Sequence, residues 1–479
     1  MRLLTAIGSC KTRRDDAKIK GGSECPQRDG SRVFKRLLDQ VMPQALHAGR
    51  LPKHLVPILI VAYSCLVPRE FTIELNGAAL FPYRLALILM LPFAIAQLAK
   101  SPVRPSLIDA CAGFASLWFI TSLVVSTSYE AGLISGTSYA IDYGLAYLLG
   151  RASIRTAEDL RLLFRYFLPG IVAVVVLLAA ESLSHRMLLR PNLADLLGKP
   201  EPYIYFRMRF GLLRAMGPFP HPILGGLFLA LVLPFAWYLA HNLRVRMIGC
   251  AAALGSIFTV SSTAMMGVAL AAAFVAIDVV QRRIKLPLWP LAAAYLGLMV
   301  LVISVVSESG VISFLIRNLT FDTGSGYYRL WIWEYAGAEA MANPLFGIGL
   351  RDWVRPIGMN SDSVDSYWLI MAMVHGFPAL VSLALVMIGT MVAVLRTQKY
   401  RHAADADAAK AVIVFIGIAI FSGFTVHFWE SIGSWMMLVI GGGVSLATQA
   451  RYAPAPEWHV AQRGPQPVAI RALAAEQAA

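Results

Sequence analysis

The chain has 479 residues, 57% of them hydrophobic and only 15% charged. Soluble domains are about half apolar and about a quarter charged, so an ordinary globular enzyme is excluded. The formal net charge of +14 does not point to nucleic acid, because much of it lies in short segments flanking apolar runs, where lysine and arginine hold loops in the cytoplasm.

The apolar runs are continuous over about twenty residues, the length of a helix crossing a bilayer. Strands of a membrane barrel would alternate over about ten residues. We therefore expect an all-α, polytopic helical membrane protein. The first fifty residues carry eleven Lys/Arg and five Asp/Glu. They show no apolar core with a cleavage site, so no cleaved signal peptide is expected, and residues 1–53 read as a loosely ordered basic tail on the cytoplasmic side.

A membrane domain is expected over 54–450, with about twelve spans: 54–68, 79–98, 106–126, 132–150, 162–181, 221–240, 245–259, 262–280, 287–306, 366–395, 410–427 and 431–449. The tenth is expected to break near Gly376 and Pro378. With the N-terminus inside, the inner loops hold Lys100 and Arg104; Arg151, Arg155, Arg161 and Arg165; Arg244 and Arg246; Arg282, Arg283 and Lys285; and Arg396, Lys399, Arg401 and Lys410. The short outer loops hold Arg69 alone. Both termini, including the tail 451–479, are thus expected in the cytoplasm. The five cysteines form no CxxC or Cys/His pattern, so neither disulfide nor metal site is expected, and no cofactor.

Two outer segments interrupt the train, 182–220 and 307–365. Long loops escape the positive-inside rule, so their charges report function. The first contains Arg186, Arg190, Lys199, Arg207, Arg209 and Arg214 against Asp195 and Glu201, six basic and two acidic, net +4. Such a cluster suits an anionic ligand, and the planar guanidinium suits phosphate. Tyr203, Tyr205 and Phe206 lie among these residues. Arg214 precedes the turn-rich Gly217 to Pro222, which contains His221.

In the second loop, Thr323 and Ser325 offer helix caps, and a helix is expected from Tyr327 to Met341, ended by Asn343-Pro344. On it Arg329 and Trp333 are four apart and share a face; the indole is expected to support the guanidinium. Glycines of Phe346 to Leu350 supply a tight turn, followed by Arg351 and Asp352. Asp362 and Asp365 stand before the tenth span, where a carboxylate at the membrane edge suits a general base. His375 follows within that span.

Arg-x-x-x-Trp at 329–333, Pro-x-x-Gly-x-Gly at 344–349, Arg-x-x-Gly-x-Phe-x-His-Pro at 214–222 and Ser-Ser-Thr-Ala-Met-Met-Gly at 261–267 together resemble the O-antigen ligase and polymerase (Wzy-type) family of bacterial envelopes. The last departs from the family pattern by lacking an arginine. Asp-Ser-Tyr-Trp-Leu at 365–369 stands where ligases carry a histidine, and with His375-Gly376 it looks more like the exopolysaccharide polymerases. The resemblance implies a GT-C-like membrane architecture in the inner membrane and a metal-independent glycosyl transfer from undecaprenyl-diphosphate-linked oligosaccharides on the periplasmic face. It implies polymerisation of repeat units, with O-antigen ligation to lipid A core as the alternative. In this reading Arg214 and Arg329 hold the diphosphate, helped by Trp333, Arg207, Arg209, His221 and Arg351. Asp365 is the base, with His375 second. Membrane lipids, a chain-length regulator and export machinery are the further partners. A transporter of lipid-linked sugar is the alternative of another class; it requires ionisable residues lining the bundle interior, where Arg84, Asp109, Asp142 and Asp278 are the few candidates.

Overall fold

The computed structural model describes residues 51–100, 104–200, 202, 206–285, 298, 323–359, 361, 363–397 and 403–450. The tails 1–50 and 451–479, the expected span 287–306 apart from Leu298, the loop segment 307–322, and Tyr203, Tyr205 and Asp362 lie outside them.

The described chain is mostly helical. In order it forms α1 (Val56–Ser64), α2 (Pro82–Lys100), α3 (Leu107–Ser126), α4 (Tyr129–Tyr139), α5 (Ala146–Ser153), α6 (Ala157–Ser184), α7 (Arg190–Leu196), α8 (Pro222–Tyr238), α9 (Leu243–Leu254), α10 (Ser262–Ile284), α11 (Thr323–Ala342), α12 (Tyr367–His375), α13 (Phe377–Thr397), α14 (Ala403–Ser422) and α15 (Ser431–Ala450). Six of these are long and apolar enough to cross a membrane: α2, α3, α6, α10, α13 and α15.

Twelve full spans were expected; the ninth lies almost wholly outside the described residues, the eleventh is the helix α14 that ends at Ser422, and four others are shortened or divided. The first apolar run is helical only to Ser64. The fourth is divided by a wide π-turn over Ala140–Leu145 that separates α4 from α5. The seventh stops at Leu254 and tightens into a 3-10 turn over Gly255–Thr259. The sixth is the seventeen-residue α8.

Exposed Leu89, Phe93 and Ile95 on α2 give that helix an apolar outer face, as lipid requires of a spanning helix. By contrast, α8 and α15 are buried over nearly their whole length and form the interior. Glycines let neighbours approach α15 closely. A Cβ at Gly150 of α5 would lie 2.0 Å from the Leu438 carbonyl, and one at Gly441 would lie 2.2 Å from the Tyr147 carbonyl.

The ionisable residues among the helices are paired. Arg84 makes two hydrogen bonds to Asp142, at 2.8 and 2.6 Å, and a third to the Ala79 carbonyl at 2.7 Å. Arg151 bonds Asp109, Ser445, Thr448 and the Arg104 carbonyl. Asp278 meets Lys410 at 2.6 Å. Charges removed from water persist only when partnered in this way, and these contacts account for every interior residue that a transport pathway was expected to use.

Two small hairpins depart from the all-α expectation. Ile73–Leu75 (β1) pairs with Ala78–Leu80 (β2), and Met208–Arg209 (β3) pairs with Leu212–Leu213 (β4). Each turns through two residues of positive φ, Asn76-Gly77 and Phe210-Gly211, the geometry that favours two-residue hairpin loops.

The tenth span breaks as expected. Helix α12 ends at His375, Gly376 takes φ +80° and ψ 172°, and α13 begins at Phe377. Pro344 to Gly349 docks on this break. Ile348 N–H donates to the Met373 carbonyl at 2.8 Å and Gly349 N–H to Val374 at 3.1 Å, while Phe377 N–H donates to Pro344 at 2.8 Å. The turn thus satisfies carbonyls that the helix end leaves open. A Cβ on Gly376 would lie 2.0 Å from the Leu345 carbonyl, and its backbone conformation is essentially confined to glycine. Gly376→Ala is expected to destabilise the protein by about 3 kcal/mol or more, read as a lowered unfolding temperature of the detergent-purified protein; an unchanged temperature would show that the break tolerates a side chain.

Candidate functional site

The turn between α14 and α15, residues 423–430, gathers the segments that carry the expected site residues. Tyr367 N–H, at the start of α12, donates to the carbonyls of Gly423 at 2.8 Å and Val426 at 3.0 Å. The Ser366 hydroxyl donates to Gly423 at 3.1 Å. Trp333 of α11 stacks on Phe424 at 6.2 Å and donates Nε1–H to its carbonyl at 3.3 Å. Thr425 meets Thr263, in the first turn of α10, at 3.3 Å. The Trp429 ring lies 6.0 Å from His221. Glu430, held at φ +54°, pairs with Arg69 at 3.1 Å. Burial pushes the Glu430 carboxyl above the usual carboxylate range, while Arg69 and Arg190 pull it back.

Arg329 and Asp365 come together beside this turn. The guanidinium Nη2 lies 4.0 Å from Asp365 Oδ2, with the arginine side chain 16% exposed and the aspartate 35%. Arg329 Nε is buried and has no hydrogen-bond partner among the described residues. Asp365 accepts a hydrogen bond from the Ser363 hydroxyl at 2.9 Å. A long ion pair with an unsatisfied donor is a cation held in place but incompletely used. The pairing itself is between groups 36 residues apart, which no spacing rule connects. The Trp333 ring, four residues along the helix from Arg329, stacks on Phe424.

The arginines of the first loop divide into two groups. Arg190 is buried and bonded to Glu70 at 2.7 Å, and Lys199 reaches the Thr72 carbonyl at 2.6 Å. These two hold the loop against β1 and the short helical turn before it, so the net +4 is in part a set of internal ties. Arg207 and Arg209 lie on the β3–β4 hairpin, Arg207 exposed and Arg209 half-buried. Arg214 follows the hairpin and extends it, donating its N–H to the Arg207 carbonyl at 3.0 Å. Its side chain is 3% exposed, with Nε 3.5 Å from the Thr259 carbonyl. That contact sets it beside the entry to α10, whose Thr263 touches the central turn. His221 caps α8 by accepting from Ile223 N–H at 3.2 Å.

The segment carrying Arg214 is fixed from below by Glu181 of α6. Its carboxylate is 1% exposed. One oxygen accepts from Leu188 and Leu189 N–H at 3.1 and 3.2 Å, and the other from Met216 and Gly217 N–H at 3.2 and 2.8 Å. Four backbone donors satisfy both oxygens of this buried side chain. They also tie both ends of the first loop to one side chain.

The remaining expected residues are placed elsewhere. Arg351 is exposed and donates to the Ile348 carbonyl at 3.1 Å. His375 is fully buried. Its Nδ1 meets the Ser122 hydroxyl at 3.0 Å, and its ring packs against Tyr139 at 4.6 Å and Phe119 at 4.8 Å. Its location is inside the helix packing, whereas Asp365 stands partly open. Sequence reading missed the central turn altogether, placing 423–427 in the eleventh span, whose helix ends at Ser422, and 428–430 in a short outer loop. The signal available was the cluster His427-Phe428-Trp429-Glu430, polar and aromatic residues at the end of an apolar run.

Among the described residues, no group of three or more His, Cys, Asp or Glu side chains is arranged to hold a metal ion. The chemistry on offer is cationic and basic: two largely buried guanidiniums, one partly open carboxylate, and aromatic rings around one turn.

Residues 247–384 match the family model described as O-Antigen ligase. No curated protein matches the chain. The matched region contains Ser261–Gly267, Arg329, Trp333, the Pro344–Gly349 turn, Asp365 and His375; Arg207, Arg209, Arg214 and His221 precede it, and the 423–430 turn follows it.

Glu181→Gln retains the side-chain size but offers one acceptor oxygen in place of two, leaving backbone donors of the Arg214 segment unsatisfied. A loss of about 2–4 kcal/mol is expected, measured by thermal unfolding in detergent. Wild-type stability in this variant would show that Glu181 does not hold the loop.

Proposed function

We propose that this multi-pass membrane protein, which carries an O-antigen ligase family domain over residues 247–384, polymerises lipid-diphosphate-linked oligosaccharide repeat units on the periplasmic face of the bacterial inner membrane. The family match supports processing of lipid-linked polysaccharide. The choice of polymerisation rests on Asp365 standing where the ligases it resembles carry a histidine.

The observation that carries the reading is the juxtaposition of Arg329 and Asp365 at 4.0 Å beside the turn that also contacts the first turn of α10, next to whose entry Arg214 lies. The transfer joins an acceptor hydroxyl oxygen to the anomeric carbon of the donor sugar. The bond from that carbon to the diphosphate oxygen breaks, and the electron pair leaves with the diphosphate. The acceptor's proton goes to Asp365. Arg329 and Arg214 supply the positive charge that meets the developing diphosphate, a role fixed guanidiniums perform without reorganising at the moment of reaction. The unsatisfied Nε of Arg329 supplies a donor that a phosphate oxygen would complete, and binding there would draw Arg329 from Asp365 and free the carboxylate as a base. Arg207 and Arg209, on the hairpin ahead of Arg214, suit the glycan or diphosphate more peripherally.

A ligase reading has its own support in the family description. It shares the chemistry and differs in product: loss of a polymerase leaves single repeat units, whereas loss of a ligase leaves long polymer on its carrier lipid. Arg329→Ala is expected to abolish long polymer while the protein still inserts in the membrane, and Asp365→Asn to slow transfer by about 100-fold or more. Both are read from the length distribution of lipid-linked glycan in a deletion strain carrying each variant. Full-length polymer in Arg329→Ala would overturn the diphosphate assignment, and normal turnover in Asp365→Asn the base. Carrier-bound long polymer in the deletion strain would establish the ligase.

A further inference from the structure

A cavity of about 330 Å3 lies between the β1–β2 hairpin, the α4 end with its π-turn, and the 427–430 turn. It is separate from the Arg329–Asp365 pair, yet shares the central turn with it. We propose that this cavity is a carbohydrate subsite that takes one or two sugar units of the acceptor glycan, an inference that rests on the transfer reading above and adds the place where its acceptor is held.

Uncommitted polar groups support it first. The hydroxyls of Ser135, Ser138 and Tyr139, the ring nitrogens of His427 and Nε1 of Trp429 belong to residues that line the cavity, and none of them has a hydrogen-bond partner among the described residues. Polar groups in a recess are normally paired. Five on one wall set match a ligand that both donates and accepts at many points, which is the chemistry of a sugar.

The charge balance supports it second. Arg84 and Asp142, both lining residues, neutralise each other through two hydrogen bonds. Glu430 adds a carboxylate already held by Arg69. The cavity therefore presents no uncommitted cation, unlike the Arg329 site, and it disfavours a diphosphate while accepting a neutral polyol.

Shape and position support it third. The Trp429 ring provides an apolar face, held between His221 at 6.0 Å and His427 at 5.6 Å. The volume is at the low end of the range for small-molecule sites, about 300–1,000 Å3. Phe428 lines the cavity and stacks on Tyr367 at 4.7 Å, two residues from Asp365. That stack links the cavity lining to the segment that carries Asp365. The backbone of Glu430, left-handed at φ +54°, is the kind of local strain that persists where the surroundings over-determine a functional turn.

The test is equilibrium binding of a soluble oligosaccharide, released by mild acid from the producing cell's own lipid-linked pool, to the full-length protein in nanodiscs. Binding by the wild type is expected, with no displacement by inorganic pyrophosphate. Ser138→Ala should weaken it by about two- to tenfold, the worth of one hydrogen bond, and Trp429→Ala by about tenfold or more. Ser138→Ala removes only a half-buried hydroxyl, so it keeps the test valid if Trp429→Ala fails to fold. Absence of binding, displacement by pyrophosphate, or wild-type affinity in both variants would overturn the subsite. Its failure is distinct from failure of the transfer reading: loss of the subsite with polymer still dependent on Arg329 leaves transfer standing, and intact oligosaccharide binding with normal polymer in Arg329→Ala leaves only the subsite.

Discussion

The interaction on which the rest depends is the docking of the 423–430 turn against the start of α12. Two helices meeting in a membrane leave open carbonyls at one end and open N–H groups at the other, and lipid satisfies neither. Here the carbonyls of Gly423 and Val426 accept from the Tyr367 N–H, and the Gly423 carbonyl also accepts from the Ser366 hydroxyl. Non-helical backbone at this position is tolerable because its carbonyls find donors on α11 and at the start of α12. The same docking fixes Phe424 against Trp333, and thereby the helix carrying Arg329. It fixes Thr425 against the first turn of α10, beside which Arg214 lies.

A second constraint is the treatment of charge. Arg84–Asp142, Arg151–Asp109, Arg190–Glu70 and Lys410–Asp278 are closed pairs, each within hydrogen-bond distance. Arg329–Asp365 is the long one, 4.0 Å with a donor unused. The contrast separates closed pairs that hold segments together from one pair that, among the described residues, leaves a donor unpaired. Removing an ion from water costs several kcal/mol, recovered only with close geometry. The loose pair is accordingly also a more exposed one, with Asp365 35% open.

Glycine sets how near the matched turn can come to the broken helix. Gly347 and Gly349 have φ of +70° and +64°, and a Cβ on Gly347 would lie 2.5 Å from the Met373 carbonyl. The Pro-x-x-Gly-x-Gly pattern, expected to make a tight turn, makes one whose N–H groups go to a helix end.

Much of this was legible in the chain. Continuous apolar runs give membrane helices because only helices close their own hydrogen bonds within one segment. Gly376 marks a break because its conformation excludes other residues, and Asn343-Pro344 marks the end of α11 because proline bars the preceding residue from helix. The Asn76-Gly77 hairpin was equally readable from its turn chemistry. Span number was less so, since an apolar run does not reveal where a helix unwinds: the π-turn at Ala140–Leu145 carries Asp142, which meets Arg84, a residue 58 positions away. The sequence by itself determined the membrane class, the break in α12–α13 and the arginine-bearing loops, all consequences of local propensity and composition. Tertiary structure alone decided that Arg190 and Lys199 are ties, that His375 is enclosed, that Arg329 faces Asp365, and that a turn near the C-terminus assembles the site. Each of these depends on which distant groups satisfy one another, and no local spacing encodes that.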